Sequence, residues 1–221
     1  MVKVVKGAKN SKSPGADTKS VSKNAIIPNQ ISKGASQFTI KIENVVAFTS
    51  LNISISLNKL VNTVENTEYE PEQFPGLVYR PTNPRSAALI FSSGKIVCTG
   101  TKSIEMAKEA MKKVVNKIKE SGVKVPDKYP INVENIVASA RIKADINLED
   151  IAFSLEDAEY EPEQFPGLVY RIKDPRVAFL LFTSGKIICT GAQSVDDIHE
   201  ALGKFKLKLE GIGVKVKPVA E

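Results

Sequence analysis

Cysteine, histidine and long apolar stretches are all scarce in this chain. Two cysteines in 221 residues cannot make a disulfide framework. No further cysteine is available to complete a symmetric metal or redox site around them. The single histidine, His199, reads as a solvated helix residue. The longest apolar runs, Ala87–Phe91 and Val177–Phe182, fall far short of the roughly 20 residues that span a bilayer. The N-terminus is charged but has no apolar core of a signal peptide. There is no P-loop and no nucleophile set beside a base. The expectation is a reducing, intracellular protein with no catalytic residues, no cofactor and no metal. Apolar residues make up 42% and charged residues 25%, as in an ordinary globular chain with one sizeable core or two small ones.

Cationic excess is present, but in one place only. Residues 1–36 hold seven lysines against one acid, Asp17, which accounts for the whole formal charge of +6. The remainder is neutral. A basic balance usually points to nucleic acid. Here the folded part would have to bind through charge distribution and shape. The tail itself, rich in Lys, Ser, Gly and Asn, reads as disordered, either a solubilising extension or a loose DNA tether.

The dominant feature is a duplication. Glu68-Tyr-Glu-Pro-Glu-Gln-Phe-Pro-Gly-Leu-Val-Tyr-Arg80 recurs unchanged as Glu159 to Arg171, 91 residues on. The same offset aligns Ile42–Ala47 with Val133–Ala138, and Ser93–Gly100 with Ser184–Gly191. The expected division is a tail over 1–36, copies over 38–125 and 129–216, and a short C-terminal tail over 217–221. Two copies are too few for a solenoid and the right number for one pseudo-twofold structure.

Within a copy, alternation predicts a strand over Phe38–Phe48, and short helices are expected at Leu57–Val64 and Leu148–Leu155. A strand over Leu77–Arg80 follows, and Ala87–Phe91 with Lys95–Thr99 flank a hairpin turn at Ser92-Ser93-Gly94. A long amphipathic helix over Ser103–Glu120 closes the copy, with Ser103 as N-cap. One long helix covers only one face of a sheet. Yet Ala87–Phe91 and Val177–Phe182 are apolar on both faces. Without a second layer, the other face is an exposed apolar surface, and such surfaces mark binding sites. Alternation puts Leu89 with Phe91, and Val97 with Thr99, on that face, with Cys98 turned away as a small core thiol. Leu180, Phe182, Ile188 and Thr190 repeat the arrangement. Phe74 and Phe165 sit in charged turns, either tucked over the sheet or presented to a partner.

Both Gln-Phe-Pro-Gly segments, both Phe-X-Ser-Gly-Lys-X-X-X-Thr-Gly segments and the paired Glu-Asn-X-Val-Ala strands, duplicated and in order, resemble the TATA-box-binding protein family, in its archaeal form, over residues 38–216. The resemblance implies an α+β saddle: a curved ten-stranded antiparallel sheet with four helices on its convex face. It implies a general transcription initiation factor, not an enzyme, that binds the A·T-rich TATA element in the minor groove and bends it. It implies wedge phenylalanines at Phe74 with Phe91 and Phe165 with Phe182, and central base contacts at Asn44 and Asn135. Val46, Leu89, Val97 and Thr99, with Val137, Leu180, Ile188 and Thr190, match the apolar floor. Arg80, Lys95, Arg171 and Lys186 match phosphate contacts. Glu161 and Glu163 match the turn that meets transcription factor B, unless they are only solvated loop charge. RNA polymerase would be recruited in turn, in the cytoplasm at the nucleoid, or in the nucleus of a eukaryote. The identical turns weaken any claim that the sheet alone sets orientation on a near-palindromic site, and polarity would then come from a partner. A repair-enzyme relative and a scaffolding paralogue that binds DNA weakly remain as alternatives.

Overall fold

The computed structural model describes residues 38–218, so the lysine-rich tail lies outside the described residues. The first copy runs β1 (Lys41–Ser50), α1 (Leu57–Val61), β2 (Thr67–Glu68), β3 (Gly76–Tyr79), β4 (Ala87–Phe91), β5 (Lys95–Thr101) and α2 (Ile104–Glu120). The second repeats it as β6 (Asn132–Lys143), α3 (Leu148–Ser154), β7 (Ala158–Glu159), β8 (Leu168–Ile172), β9 (Val177–Leu181), β10 (Lys186–Ala192) and α4 (Val195–Gly211). A two-residue β11 (Lys217–Pro218) pairs with the far end of β6. Helix α1 is shorter than the sequence pattern predicts. Val64 continues the apolar pattern but packs from a turn, and Asn66 with φ 58° starts the new direction.

Ten strands form one antiparallel path, β2-β3-β4-β5-β1-β6-β10-β9-β8-β7. Exchanging the copies leaves this order unchanged. The join is the β1–β6 pair, where Val45 stands opposite Ile136, its own equivalent at the repeat offset. A residue paired with its equivalent lies on the pseudo-twofold axis. On either side the register slips by one residue, past Glu43 on β1 and past Glu134 on β6. These symmetric bulges also carry the extra local twist that bulges bring.

The helices cover one face. On β1 the buried residues are Val45, Ala47 and Thr49, while Asn44, Val46 and Phe48 are only half-buried. The same alternation holds on β4, β5, β9 and β10. Helix α2 buries Ala107, Ala110, Met111, Val114, Val115 and Ile118 against this face. Its cap is Ser103, whose hydroxyl accepts the Met106 N–H at 3.1 Å, as the sequence pattern predicts. On α4 the cap is a full box, with Ser194 and Asp197 satisfying each other's backbone N–H groups. Cys98 and Cys189 are free thiols under the helices, and burial pushes both up, Cys189 to about 12.

The two cores are not packed alike. Under α4, Phe205 stacks on Phe179 at 4.8 Å between ring centroids and on Tyr170 at 5.3 Å. The equivalent positions in the first copy are Val114, Ala88 and Tyr79. An aromatic stack there fills volume that no neighbour can reclaim. Phe205→Ala is expected to cost about 3–5 kcal/mol, read as a lower denaturation midpoint in urea. A loss under about 1 kcal/mol would mean the second core collapses around the gap.

Candidate nucleic-acid interface

The face opposite the helices has no second layer among the described residues. Cross-strand pairing lays its side chains in rows. Val78, Leu89, Val97 and Phe48 form one row across β3, β4, β5 and β1. Val169, Leu180, Ile188 and Ser139 form its mate across β8, β9, β10 and β6. Val46 and Val137 lie inside these rows, toward the axis. The expected floor residues are therefore on one surface. Val78 and Val169 extend it and are missing from the sequence reading. Their identity at the repeat offset and their place opposite Leu89 and Leu180 were the available signal.

Near the axis, two amides are locked in one orientation. Asn44 Oδ1 accepts the Gly100 N–H at 2.8 Å, and Asn44 Nδ2 donates to Thr99 Oγ1 at 3.0 Å. Asn135 repeats this with Gly191 at 2.7 Å and Thr190 at 3.2 Å. Gly100 and Gly191, with φ near +95° and +101°, turn their N–H groups toward the amides, a conformation that L side chains rarely adopt. A backbone N–H on Oδ1 fixes which end of the amide is which. Each asparagine thus keeps a second amide hydrogen for an acceptor outside the protein.

At the outer ends stand the phenylalanines. Phe74 meets Phe91 edge-to-face at 5.8 Å, and Phe165 meets Phe182 at 5.9 Å, with interplanar angles of 64° and 66°. Such pairs gain about 0.5–1.5 kcal/mol beyond area burial. The turn before each is tightened by the carbonyls of Glu70 and Glu161, which accept two N–H groups each. That brings Phe74 and Phe165 back over the sheet, yet both remain more than a third exposed. The two options in the sequence reading are therefore not exclusive. Each ring is braced and presented at once. The seat is Gly76 or Gly167, where a Cβ would come within 2.7 Å of the ring.

Charge lines the rim. Arg80 faces Glu68 at 3.8 Å, and Arg171 faces Glu159 at 2.7 Å. Lys95 Nζ lies 5.7 Å over the Phe48 ring. Lys186 is exposed, opposite Arg141. Arg176 lines a groove of about 670 Å³ with Asn135, Arg171 and Thr190. Its equivalent, Arg85, shares a smaller groove with Arg80. This arginine pair is also absent from the sequence reading, although both members stand at the repeat offset. Beyond Phe165, Glu161 accepts from the Gln164 side chain and Glu163 is exposed. Among the described residues no cluster of His, Cys, Asp or Glu could hold a metal, and no helix is long and apolar enough to cross a membrane.

A duplicated α+β sheet with helices on one face and a braced aromatic pair at each end of the other defines a class of pseudo-twofold, open-faced binding folds. The signature described as transcription factor TFIID, or TATA-binding protein, matches residues 39–121 and 130–212. The TATA-box-binding protein of Archaeoglobus fulgidus is 50% identical over 179 residues, covering 80% of this chain and 98% of that protein. That of Methanothermobacter thermautotrophicus is 51% identical over 77% of this chain and 94% of its own. The solved structure of Methanococcus jannaschii TBP, 48% identical, superposes with a TM-score of 0.73 over 78% of this chain and 98% of its own. The chain belongs to the TATA-box-binding protein family.

The phenylalanine seat can be tested without a ligand. Gly167→Ala forces Phe165 or Phe182 aside and is expected to cost about 1–3 kcal/mol in urea denaturation. Gly203→Ala, on α4 with nothing within 4 Å of the added carbon, should instead gain about 0.5–1 kcal/mol. Equal effects would remove the seat from the account.

Proposed function

We propose that the chain is a transcription initiation factor that binds A·T-rich promoter DNA of the TATA type on its open sheet face, in the minor groove, and bends it there. The observation that carries this is the pair of braced phenylalanine wedges at opposite ends of an uncovered apolar face. The minor-groove edges of A·T and T·A present only acceptors, and a G·C pair adds an amino donor. An apolar floor matches the first and rejects the second. The spare hydrogens of Asn44 and Asn135 are donors aimed at central base acceptors. The Thr99 and Thr190 hydroxyls beside them complete the polar centre.

Apolar wedges between base steps, for which TATA-binding proteins are the type case, unstack them at a few kcal/mol per step. Phe74 with Phe91 and Phe165 with Phe182 fill that role at the two ends. The widened groove then lies flat on the floor, and burial of that larger surface offsets the unstacking. Flexible TA steps lower the cost, so sequence is read partly as deformability. Arg80, Arg171, Lys95 and Lys186, joined by Arg85 and Arg176, reach the phosphates. Arg80 and Arg171 would exchange their exposed carboxylate partners for phosphate, a small sacrifice in water. Glu161 and Glu163 offer an acidic surface to transcription factor B, which brings RNA polymerase. None of these steps makes or breaks a covalent bond.

The wedge is tested by fluorescence transfer between dyes at the two ends of an A·T-rich duplex. Wild type should raise the transfer. Phe165→Ala with Phe182→Ala should abolish the rise and weaken binding about 30-fold or more, as for buried aromatic anchors. Full bending by that variant would exclude the wedge.

A further inference from the structure

The open face is nearly the same in both copies: the amides, the wedges, Leu89 with Leu180, and Lys95 with Lys186 are identical at the repeat offset. The floor breaks the symmetry by a single methylene at Val97, which is Ile188 in β10, and by a whole ring at one further position. Phe48 in β1 is replaced by Ser139 in β6.

The two residues sit at equivalent points in their rows, but present different surfaces. Phe48 is half-buried in the floor, with Lys95 Nζ 5.7 Å above its ring. Ser139 is only 4% exposed. Its hydroxyl donates to Glu43 Oε1 at 2.8 Å, so it is turned to the bulge and offers the surface no donor. That hydroxyl, with Lys41 after it, holds the Glu43 carboxyl below its usual range. The first-copy floor therefore carries a ring that the second-copy floor lacks. The rims differ in step. Ser50 stands across from Lys95, whereas Arg141 stands across from Lys186.

We infer that Phe48 makes the first-copy half the stringent A·T reader, leaves the second-copy half tolerant of one G·C pair, and so lets this chain alone choose a direction on DNA. The inference rests on the minor-groove reading above. A guanine amino group projects from the groove floor. Against the Phe48 ring it would lose its water and gain no acceptor. Ser139 sets no aromatic ring against it. The identical Gln-Phe-Pro-Gly turns carry no such information. On this reading a direction is built into the sheet and does not depend on a partner.

The test is single-molecule fluorescence transfer on the full chain. A donor dye is placed at Ser154→Cys, on α3 of the second copy, because the native thiols are buried. The acceptor marks one end of a duplex with a self-complementary A·T element, changed to G·C at one position in one half. Wild type should place the altered half on the second copy with about a tenfold excess, within the range that one mismatched pair costs. Moving the G·C pair to the other half should invert the ratio. Phe48→Ser, which copies the second-copy residue, should bring it near one, and Phe48→Leu should retain part of it. Equal wild-type populations on bound duplex, or an unchanged bias in Phe48→Ser, would overturn the inference alone. No binding even to the unaltered A·T element would overturn the minor-groove reading, and the inference with it.

Discussion

Val45 pairs with Ile136 across the repeat axis, and the other long-range features follow from that contact. It joins β1 to β6 and turns two five-strand halves into one sheet. Because each residue faces its own equivalent, everything else is duplicated about that point. The amides of Asn44 and Asn135 fall close to the axis. The phenylalanine pairs fall at the far ends, on opposite sides. The Glu43 and Glu134 bulges flank the join symmetrically. A slip of one residue in this register would send Val46 and Val137 into the core and Val45 and Ile136 to the open face, since side chains alternate along a strand.

A second constraint is that, among the described residues, no second layer covers the open face. Ordinary antiparallel sheets that face water on one side carry polar residues there. This one carries Val46, Val78, Leu89, Val97 and their mates instead. The surface is costly to leave in water and useful only against a partner that is itself flat and poor in donors. An opened A·T minor groove meets both conditions. The few polar groups on the face are already oriented by protein partners, so little ordering remains to be done on binding. The helix side carries the stability. Its aromatic stack at Phe205, Phe179 and Tyr170 strengthens the second copy without touching the open face.

Much of this was legible in the sequence, for physical reasons. The duplicated Gln-Phe-Pro-Gly turns singled out Phe74 and Phe165, because a large aromatic in a charged turn requires a receiver. Alternation in Ala87–Phe91 gave the correct face for Leu89 and Phe91, because the side-chain period of a strand is fixed. The aromatic stack was not legible, since Tyr170, Phe179 and Phe205 meet only once β8, β9 and α4 are packed together. The bulges were hidden because register is set by the partner strand. Phe48 was overlooked although its strand was identified. Its meaning appears only when its row mate Val97 and its equivalent Ser139 are known. Arg85 and Arg176 escaped because their grooves exist only in three dimensions.

The central claim is that this face reads the minor groove and nothing else of the base pair. Inosine–cytosine pairs separate the two grooves chemically. They match A·T in the minor groove, where the guanine amino group is absent, but resemble G·C in the major groove. Titrating the protein against duplexes in which the TATA element is rebuilt in A·T, inosine–cytosine or G·C tests the claim directly. The account predicts comparable binding to the first two and loss of binding to the third. Inosine–cytosine binding as weak as G·C would contradict it.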